Sequence, residues 1–305
     1  MDSQQIAGVR RFNRELTRRL GVLTDSFLGR GRPLSEARLL YEIGNRGAEV
    51  RDLRSRLSLD SGYLSRLVRS LERQKLIESK TSLRDARVRT LTLTRRGAME
   101  VRALDRLSDE FATSVLEPLS REQRARLIEA MSQVERLMRA AAVQLSLVPA
   151  GGPDAVFCLE QYFHELGDRF SAGFDPARSI SASAEELTPP AGYFLAARLD
   201  ERPIGCGALK LKDARVGEIK RMWVAPAVRG VGVGARILAA LEQRARMAGL
   251  QVLRLETNRA LQEAQRLYRR CGYLEVERFN DEPYAHHWFE KRLLPESERN
   301  PFSGD

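Results

Sequence analysis

Cysteine is scarce. Cys158, Cys206 and Cys271 are the three in 305 residues. Their odd number and wide separation exclude a disulfide framework, and no spacing between them suits a metal. Reduced, buried thiols and no metal are expected. Long apolar runs are missing as well: no stretch reaches the roughly 18 uncharged apolar residues of a membrane span. The opening MDSQQIAGVRRFNREL has no signal-peptide core. These absences point to a cytoplasmic protein with no membrane partner. The second half lacks net charge, since residues 143–305 hold 22 Lys+Arg against 22 Asp+Glu.

What is present is unevenly placed. Residues 1–142 hold 29 Lys+Arg against 19 Asp+Glu, so the whole net charge of +10 lies there. A basic half joined to a neutral one suits a polyanion partner for the first and a small ligand for the second. At this length about two domains are expected, each with its own core.

Long amphipathic patterns flank the first half. One covers about residues 3–29, with Ile6, Val9, Leu16, Leu20 and Leu23 on one side; two more cover about 95–115 and 120–142. Between them, SEARLLYEIGNRG reads as a helix capped by its Ser and stopped by Gly44 and Gly47. EVRDLRSRLSL and DSGYLSRLVRSLERQKLIE then read as a short helix, a Leu-Ser turn and a second helix opened by Asp60. Leu64, Leu67, Val68 and Leu71 form its buried stripe, leaving Ser61, Tyr63, Ser65, Arg66, Arg69 and Arg73 outward or at its margins. Such residues on the second helix of a helix-turn-helix read base edges and grip phosphates. The next segment reads as a hairpin whose tip offers Arg84 and Arg87, with Asp85 to orient one of them, suited to a minor groove.

The recognition helix followed by SLRDARVRTLTLTRRG resembles the MarR family of winged-helix regulators. The resemblance covers about residues 3–142 and implies a homodimer made by the terminal helices. It would bind a roughly palindromic double-stranded operator with one recognition helix per half-site, which would associate it with the nucleoid. Glycine is missing at one point: Lys75 stands where many relatives have Gly. A left-handed residue there costs about 1 kcal/mol, so a slightly altered helix end is expected.

The second half turns on MWVAPAVRGVGVGARILAALEQRAR, residues 222–246. β-formers run into a Pro, an Arg and alternating glycines, and then a helical pattern containing Ile237, Leu238 and Leu241. A strand, a backbone cradle and a helix start form a phosphate site, because glycines let N–H groups approach the anion and the helix dipole adds roughly half a charge. GVGVGA also fits a dinucleotide fingerprint, with Glu256 where a ribose-binding acid would lie. Against that, APAVR separates the strand from the first glycine. The preceding strands GYFLAARLD and RPIGCGALKLK also form a hairpin through Asp200 and Glu201, which leaves little room for a doubly wound sheet.

VAPAVRGVGVGARIL and, later, LETNRALQEAQRLYRRCGYLEV resemble, in order, the acyl-CoA loop and the following motif of the GNAT acetyltransferases. The resemblance spans about residues 143–294 and implies acetyl-CoA as cosubstrate. It puts the pyrophosphate on the amides of Arg229, Gly230, Val231, Gly232, Val233, Gly234 and Ala235. The pantetheine arm would lie along Met222, Trp223 and Val224, with a hydrogen bond from Asn258. Tyr268 matches the Tyr that protonates the leaving thiolate, and Glu218 the position where several members carry a catalytic base. Tyr284 and His286 fall in the region that walls the acceptor pocket. Asn258 as a helix cap, Glu218 as a partner of Lys220 or Lys210, and a solvent-facing histidine are the structural alternatives.

The expected fold is multidomain. An all-α-rich winged helix-turn-helix domain, residues 1–142, precedes an α+β GNAT fold with a mixed, largely antiparallel sheet, residues 143–305. LSLVP at the junction is a candidate first strand of the second domain. The expected function is a MarR-type DNA-binding regulator that is also an acetyl-CoA-dependent N-acetyltransferase acting on a small-molecule or protein amine. The alternative is a transcription factor whose second half senses acetyl-CoA without turnover.

Overall fold

Leucines at helical spacing build the first core, and alternating apolar strands build the second. The computed structural model describes residues 2–21, 26–81, 89–180 and 182–293. It divides the chain into two units, residues 1–128 and 129–305. In the first unit lie α1 (Ser3–Arg19), α2 (Leu34–Ile43), β1 (Ala48–Glu49), α3 (Val50–Leu57), α4 (Ser61–Arg73), β2 (Ile77–Thr81), β3 (Arg89–Leu93) and α5 (Arg95–Leu116). The division falls inside α6 (Arg121–Ala142).

α3, a turn and α4 form the helix-turn-helix, and a three-stranded sheet of order β1-β3-β2 supplies the wing strands. The turn is made by Ser58 in the left-handed region (φ 50°), after which Asp60 caps α4 by accepting the Tyr63 N–H at 2.8 Å. Leu64, Leu67, Val68 and Leu71 of α4 are buried with Leu39, Leu40, Ile43, Leu53 and Leu91. Leu23 and the wing-tip residues Arg84, Asp85 and Arg87 lie outside the described residues.

Two local expectations are corrected. α2 starts at Leu34 with Pro33 as its N-cap and no side-chain cap, so Ser35 sits inside the helix. Pro33 presets the entry to the helix (φ −69°), which makes a hydroxyl cap unnecessary. The end of α4 is unaltered: Lys75 accepts φ 57°. The Leu76 N–H reaches Leu71 O at 3.0 Å and the Lys75 N–H reaches Glu72 O at 2.9 Å, a Schellman closure. The Thr94 hydroxyl donates to Lys75 O at 2.8 Å, and Leu76 is buried, so these contacts offset the strain. Gly97 is required nearby, because a Cβ there would stand 1.9 Å from Leu76 O.

A polar cluster locks this unit. Glu100 accepts from Arg30 at 2.6 Å and from Arg32 at 3.1 Å, while Glu36 accepts from Ser70 at 2.6 Å and Gln74 at 3.0 Å. Hydrogen bonding from Arg30 holds the Glu100 carboxyl below its ordinary value despite burial. The folded value being lower than the unfolded one (about 4.3), this stabilisation is complete above that pH and fades as pH falls through the folded value. The urea midpoint should therefore drop between about pH 5 and pH 3, and Glu100→Gln should flatten that part of the profile. An unchanged slope in the variant would show that the cluster contributes nothing.

The second unit contains β4 (Gln144–Val148), α7 (Pro153–Arg169), β5 (Gly192–Leu199), β6 (Arg202–Leu211), β7 (Val216–Val224), α8 (Val233–Met247), β8 (Val252–Thr257), α9 (Gln262–Arg270), β9 (Leu274–Val276) and β10 (His287–Arg292). They form a seven-stranded sheet, β4-β5-β6-β7-β8-β10-β9. β4, the LSLVP strand, pairs antiparallel with β5, and β7 with β8 is the parallel pair. Asp200 and Glu201 form the β5–β6 hairpin with φ 50° and 62°, the sign pattern of a two-residue turn that follows the strand twist. Ile237, Leu238, Leu241 and Ala245 of α8 are buried in one core cluster. Ala155 and Cys158 of α7 join Phe194, Cys206 and Trp223 in another. Cys158 and Cys206 are buried thiols and Cys271 is half-buried. Among the described residues no helix is long and apolar enough to cross a membrane.

Candidate functional site

β7 and β8 pair only at Val216↔Val252, Gly217↔Leu253 and Glu218↔Arg254. Beyond that the two strands part. β7 is also kinked: its register with β6 shifts between Cys206 and Ala208, so Arg221 and Met222 oppose a single residue. Arg221 takes φ 57° at this bulge. The opening is a cleft of about 730 Å³ including its mouth. Lys220, Arg221 and Met222 form one wall, Glu256, Thr257 and Asn258 another, and Leu261, Ala264 and Tyr268 close it from the α9 side.

The cleft has a charged patch and an aromatic rim. Lys220 Nζ donates to Glu256 Oε1 at 2.5 Å and stands 3.5 Å from Glu218 Oε2, with all three side chains nearly buried. Asn280 Nδ2 donates to the other Glu256 oxygen at 3.3 Å. At the rim, Phe174 and Tyr284 have ring centroids 4.9 Å apart, and the Asp175 N–H donates to Tyr284 Oη at 2.9 Å. Glu282 is buried and accepts from the Ser179 hydroxyl at 2.9 Å and the Ile180 N–H at 2.7 Å, fixing the loop above the cleft. Tyr268 is buried but for its edge on the cleft, and its hydroxyl has no hydrogen-bond partner among the described residues. Burial pushes its phenol well above the ordinary value, and that of Tyr162 up to about 12, so both carry their protons at neutral pH.

At the end of β7 comes the glycine-rich turn. Gly230 and Gly232 have φ 81° and 90°, the left-handed region that favours glycine, and a Cβ built on either would meet nothing within 4 Å. Backbone bonding stops at the Arg229 N–H and resumes at the Arg236 N–H, which reaches Gly232 O at 3.0 Å. The amides of residues 230–235 thus lack acceptors among the described residues, at the start of a 15-residue helix. Val233 is buried, so it fixes the turn from behind. This cradle fits an oxygen-rich anion such as a pyrophosphate.

Glu165 on α7 anchors the turn. It accepts from Trp223 Nε1 at 3.0 Å, from Arg169 Nη1 at 3.1 Å and from Arg229 Nη2. Arg229 Nε also donates to Val224 O at 2.8 Å. Burial raises the carboxyl of Glu165, but its bonds to Arg229 and Arg169 outweigh that and hold it lowered.

The structure gathers most of the sequence candidates. Met222, Asn258, Tyr268 and Tyr284 line one cleft. Trp223 and Val224 continue the bulged strand, Trp223 turning its ring into the α7 core. Asn258 is already engaged, donating to Tyr284 O at 2.7 Å and accepting from the Ala260 N–H at 2.9 Å, so it braces a loop and does not cap α9. Glu218 lies behind Lys220 and off the cleft wall, in the ion-pair alternative. His286 is exposed and off the wall. In the first unit, Ser61, Ser65, Arg66 and Arg69 are exposed along α4 and Tyr63 is half-buried, with Arg66 over the Tyr63 ring at 5.5 Å.

Sequence reasoning missed Glu165, Glu282 and the role of the Lys220–Glu256 pair. Charges inside the otherwise apolar strands GEIKRMWV and VLRLE were the available signal for the pair; a glutamate on an amphipathic helix gives none.

Residues 159–273 match the acetyltransferase (GNAT) family and residues 30–88 the MarR family. Over 117 residues the chain is 38% identical to an IAA acetyltransferase of Azospirillum brasilense, covering 38% of this chain and 76% of that protein. Over 133 residues it is 35% identical to the uncharacterized N-acetyltransferase YsnE of Bacillus subtilis (strain 168), covering 43% of this chain and 85% of that protein. An acetyltransferase of the GNAT family from Staphylococcus aureus Mu50 has a TM-score of 0.45 at 16% identity, over 50% of this chain and 100% of that one.

Glu165→Ala leaves two arginines and an indole N–H without their shared acceptor. It is expected to cost about 2 kcal/mol or more of stability, read as a lower urea midpoint, with Glu165→Gln falling between. A midpoint within error of wild type would remove Glu165 as the anchor.

Proposed function

Since the chain belongs to the GNAT acetyltransferase family and carries a MarR-family domain ahead of it, we propose a dimeric protein that transfers acetyl from acetyl-CoA to an amine and binds operator DNA. One observation carries the first half of this reading: an unpartnered amide cradle follows a bulged strand whose Lys220, Arg221 and Met222 wall a cleft that holds a protonated tyrosine. The boundary between the two activities falls at about residue 142.

Acetyl-CoA supplies an acyl thioester when bound. The amides of residues 230–235 hold its pyrophosphate, with Arg229 fixing the turn that presents them. The parted edge of β7 at Met222 to Val224 receives the pantetheine as a strand would be received, and a strand amide there faces the carbonyl oxygen. The acceptor amine must give up a proton before attack. Glu256 is the carboxylate on the cleft wall that can take it, and Glu218 acts behind it through Lys220. The Tyr268 phenol returns a proton to the departing thiolate. Tyr284 and the aromatic rim contact the acceptor, and exposed His286 lies at the edge of that approach.

DNA binding rests on exposed Arg66, Arg69, Ser61 and Ser65 of α4, half-buried Tyr63, and the wing arginines Arg84 and Arg87, in a half with all of the net positive charge. Dimerisation rests on apolar side chains left exposed on α1 (Ile6, Val9, Phe12, Leu16) and α6 (Met131, Val134, Met138).

CoA-thiol release from acetyl-CoA with pooled amines tests the enzyme. Release above hydrolysis in one pool should fall at least about tenfold in Tyr268→Phe, and Glu256→Gln should lower kcat more than Glu218→Gln does. Acetyl-CoA binding with no turnover in any pool would favour a sensor.

Operator affinity measured with and without acetyl-CoA tests coupling. A change of about fivefold or more is expected, and equal affinities would make the halves independent.

A further inference from the structure

A second groove lies beside the glycine-rich turn. Ser132, Glu135, Arg136 and Arg139 of α6 line it on one side, and Ala227, Val228 and Val231 of the turn on the other. Its open volume is about 440 Å³. The α6 residues are spaced i, i+3, i+4 and i+7, so they form one helix face, and all are exposed. All seven residues belong to the second unit. Arg139 pairs with Glu135 at 2.7 Å, whereas Arg136 has no ion pair among the described residues. The groove therefore keeps an unneutralised guanidinium. It is also tied to the cradle: Arg236, in the first turn of α8, donates to Ala140 O and, at 2.7 Å, to Val143 O. Val231 serves both places, since its amide is in the cradle and its side chain lines the groove.

We propose that this groove takes the 3′-phosphoadenosine end of acetyl-CoA, with Arg136 and Arg139 on the 3′-phosphate and Ala227, Val228 and Val231 against the adenosine. The inference rests on the acetyl-CoA reading of the turn. With the pyrophosphate on the amides and the pantetheine directed along β7, the nucleotide end must lie elsewhere beside the turn, and this groove shares Ala227, Val228 and Val231 with it. A phosphate monoester there needs cations, and the arginines of α6 are placed to supply them. α6 is not part of the acetyltransferase match, which begins at residue 159, so the cosubstrate site is completed by a helix from before that domain.

The test is calorimetric titration of the full chain with CoA and with 3′-dephospho-CoA. Wild type is expected to bind CoA at least about tenfold more tightly. In Arg136→Ala/Arg139→Ala that preference should vanish while the affinity for 3′-dephospho-CoA holds. Both side chains are exposed and the one ion pair lost is a surface pair, so the variant should fold with wild-type stability; the comparison of ligands on wild type needs no variant at all. Equal affinities in wild type, or a preference that survives the double substitution, would overturn the α6 site and leave the cradle reading standing. Failure of wild type to bind either ligand at about 1 mM would overturn the acetyl-CoA reading and this inference with it.

Discussion

The second unit depends on one interrupted ladder. β7 and β8 could pair along their length, but three residue pairs form and the rest do not. The bulge at Arg221 bends β7 away, and Pro226 then ends the strand's direction. Parting two central strands exposes backbone groups that would otherwise bond each other, and a buried unpaired group costs about 1–3 kcal/mol. A fold tolerates this where something else fills the gap. Here the gap is lined on both sides and holds the Lys220–Glu256 pair and Tyr268. The sheet thus gives up pairing where the cleft opens.

The ion pair in that gap follows the same logic. A buried lysine and carboxylate add little net stability, because desolvation opposes their attraction. Lys220 nevertheless holds two carboxylates at fixed positions, Glu256 on the cleft wall and Glu218 behind it. Tyr268 lies on the α9 side of the same cleft, with burial keeping its proton in place. A carboxylate and a protonated phenol thus line one cleft.

The local elements were legible because each follows from short-range physics. The α4 stripe, the Asp60 cap, the Asp200–Glu201 hairpin and the LSLVP strand are set by spacing and turn chemistry within a few residues. Lys75 was misjudged because contacts nearly twenty residues away, from Thr94, offset its strain. The bulge left no mark either: Arg221 is an ordinary strand residue until β6 pairs out of step with it. The motif residues of the cleft were named from family resemblance. The partners Glu165 and Glu282 depend on tertiary approach and carried no local pattern.

α6 shows how one helix can serve two neighbours without conflict. Ser132, Arg136 and Arg139 repeat at i, i+4 and i+7, and Met131, Val134 and Met138 repeat at i, i+3 and i+7 one residue out of phase. At about 100° per residue the two sets occupy adjacent faces. The polar set looks onto the glycine-rich turn, and the apolar set is left exposed beside it. Contacts at the turn therefore leave the apolar face of the helix uncovered. Any change in the tilt of α6 would be felt directly at that apolar face. α6 is one continuous helix of 22 residues, so the groove beside the turn and the exposed apolar face belong to a single rigid element.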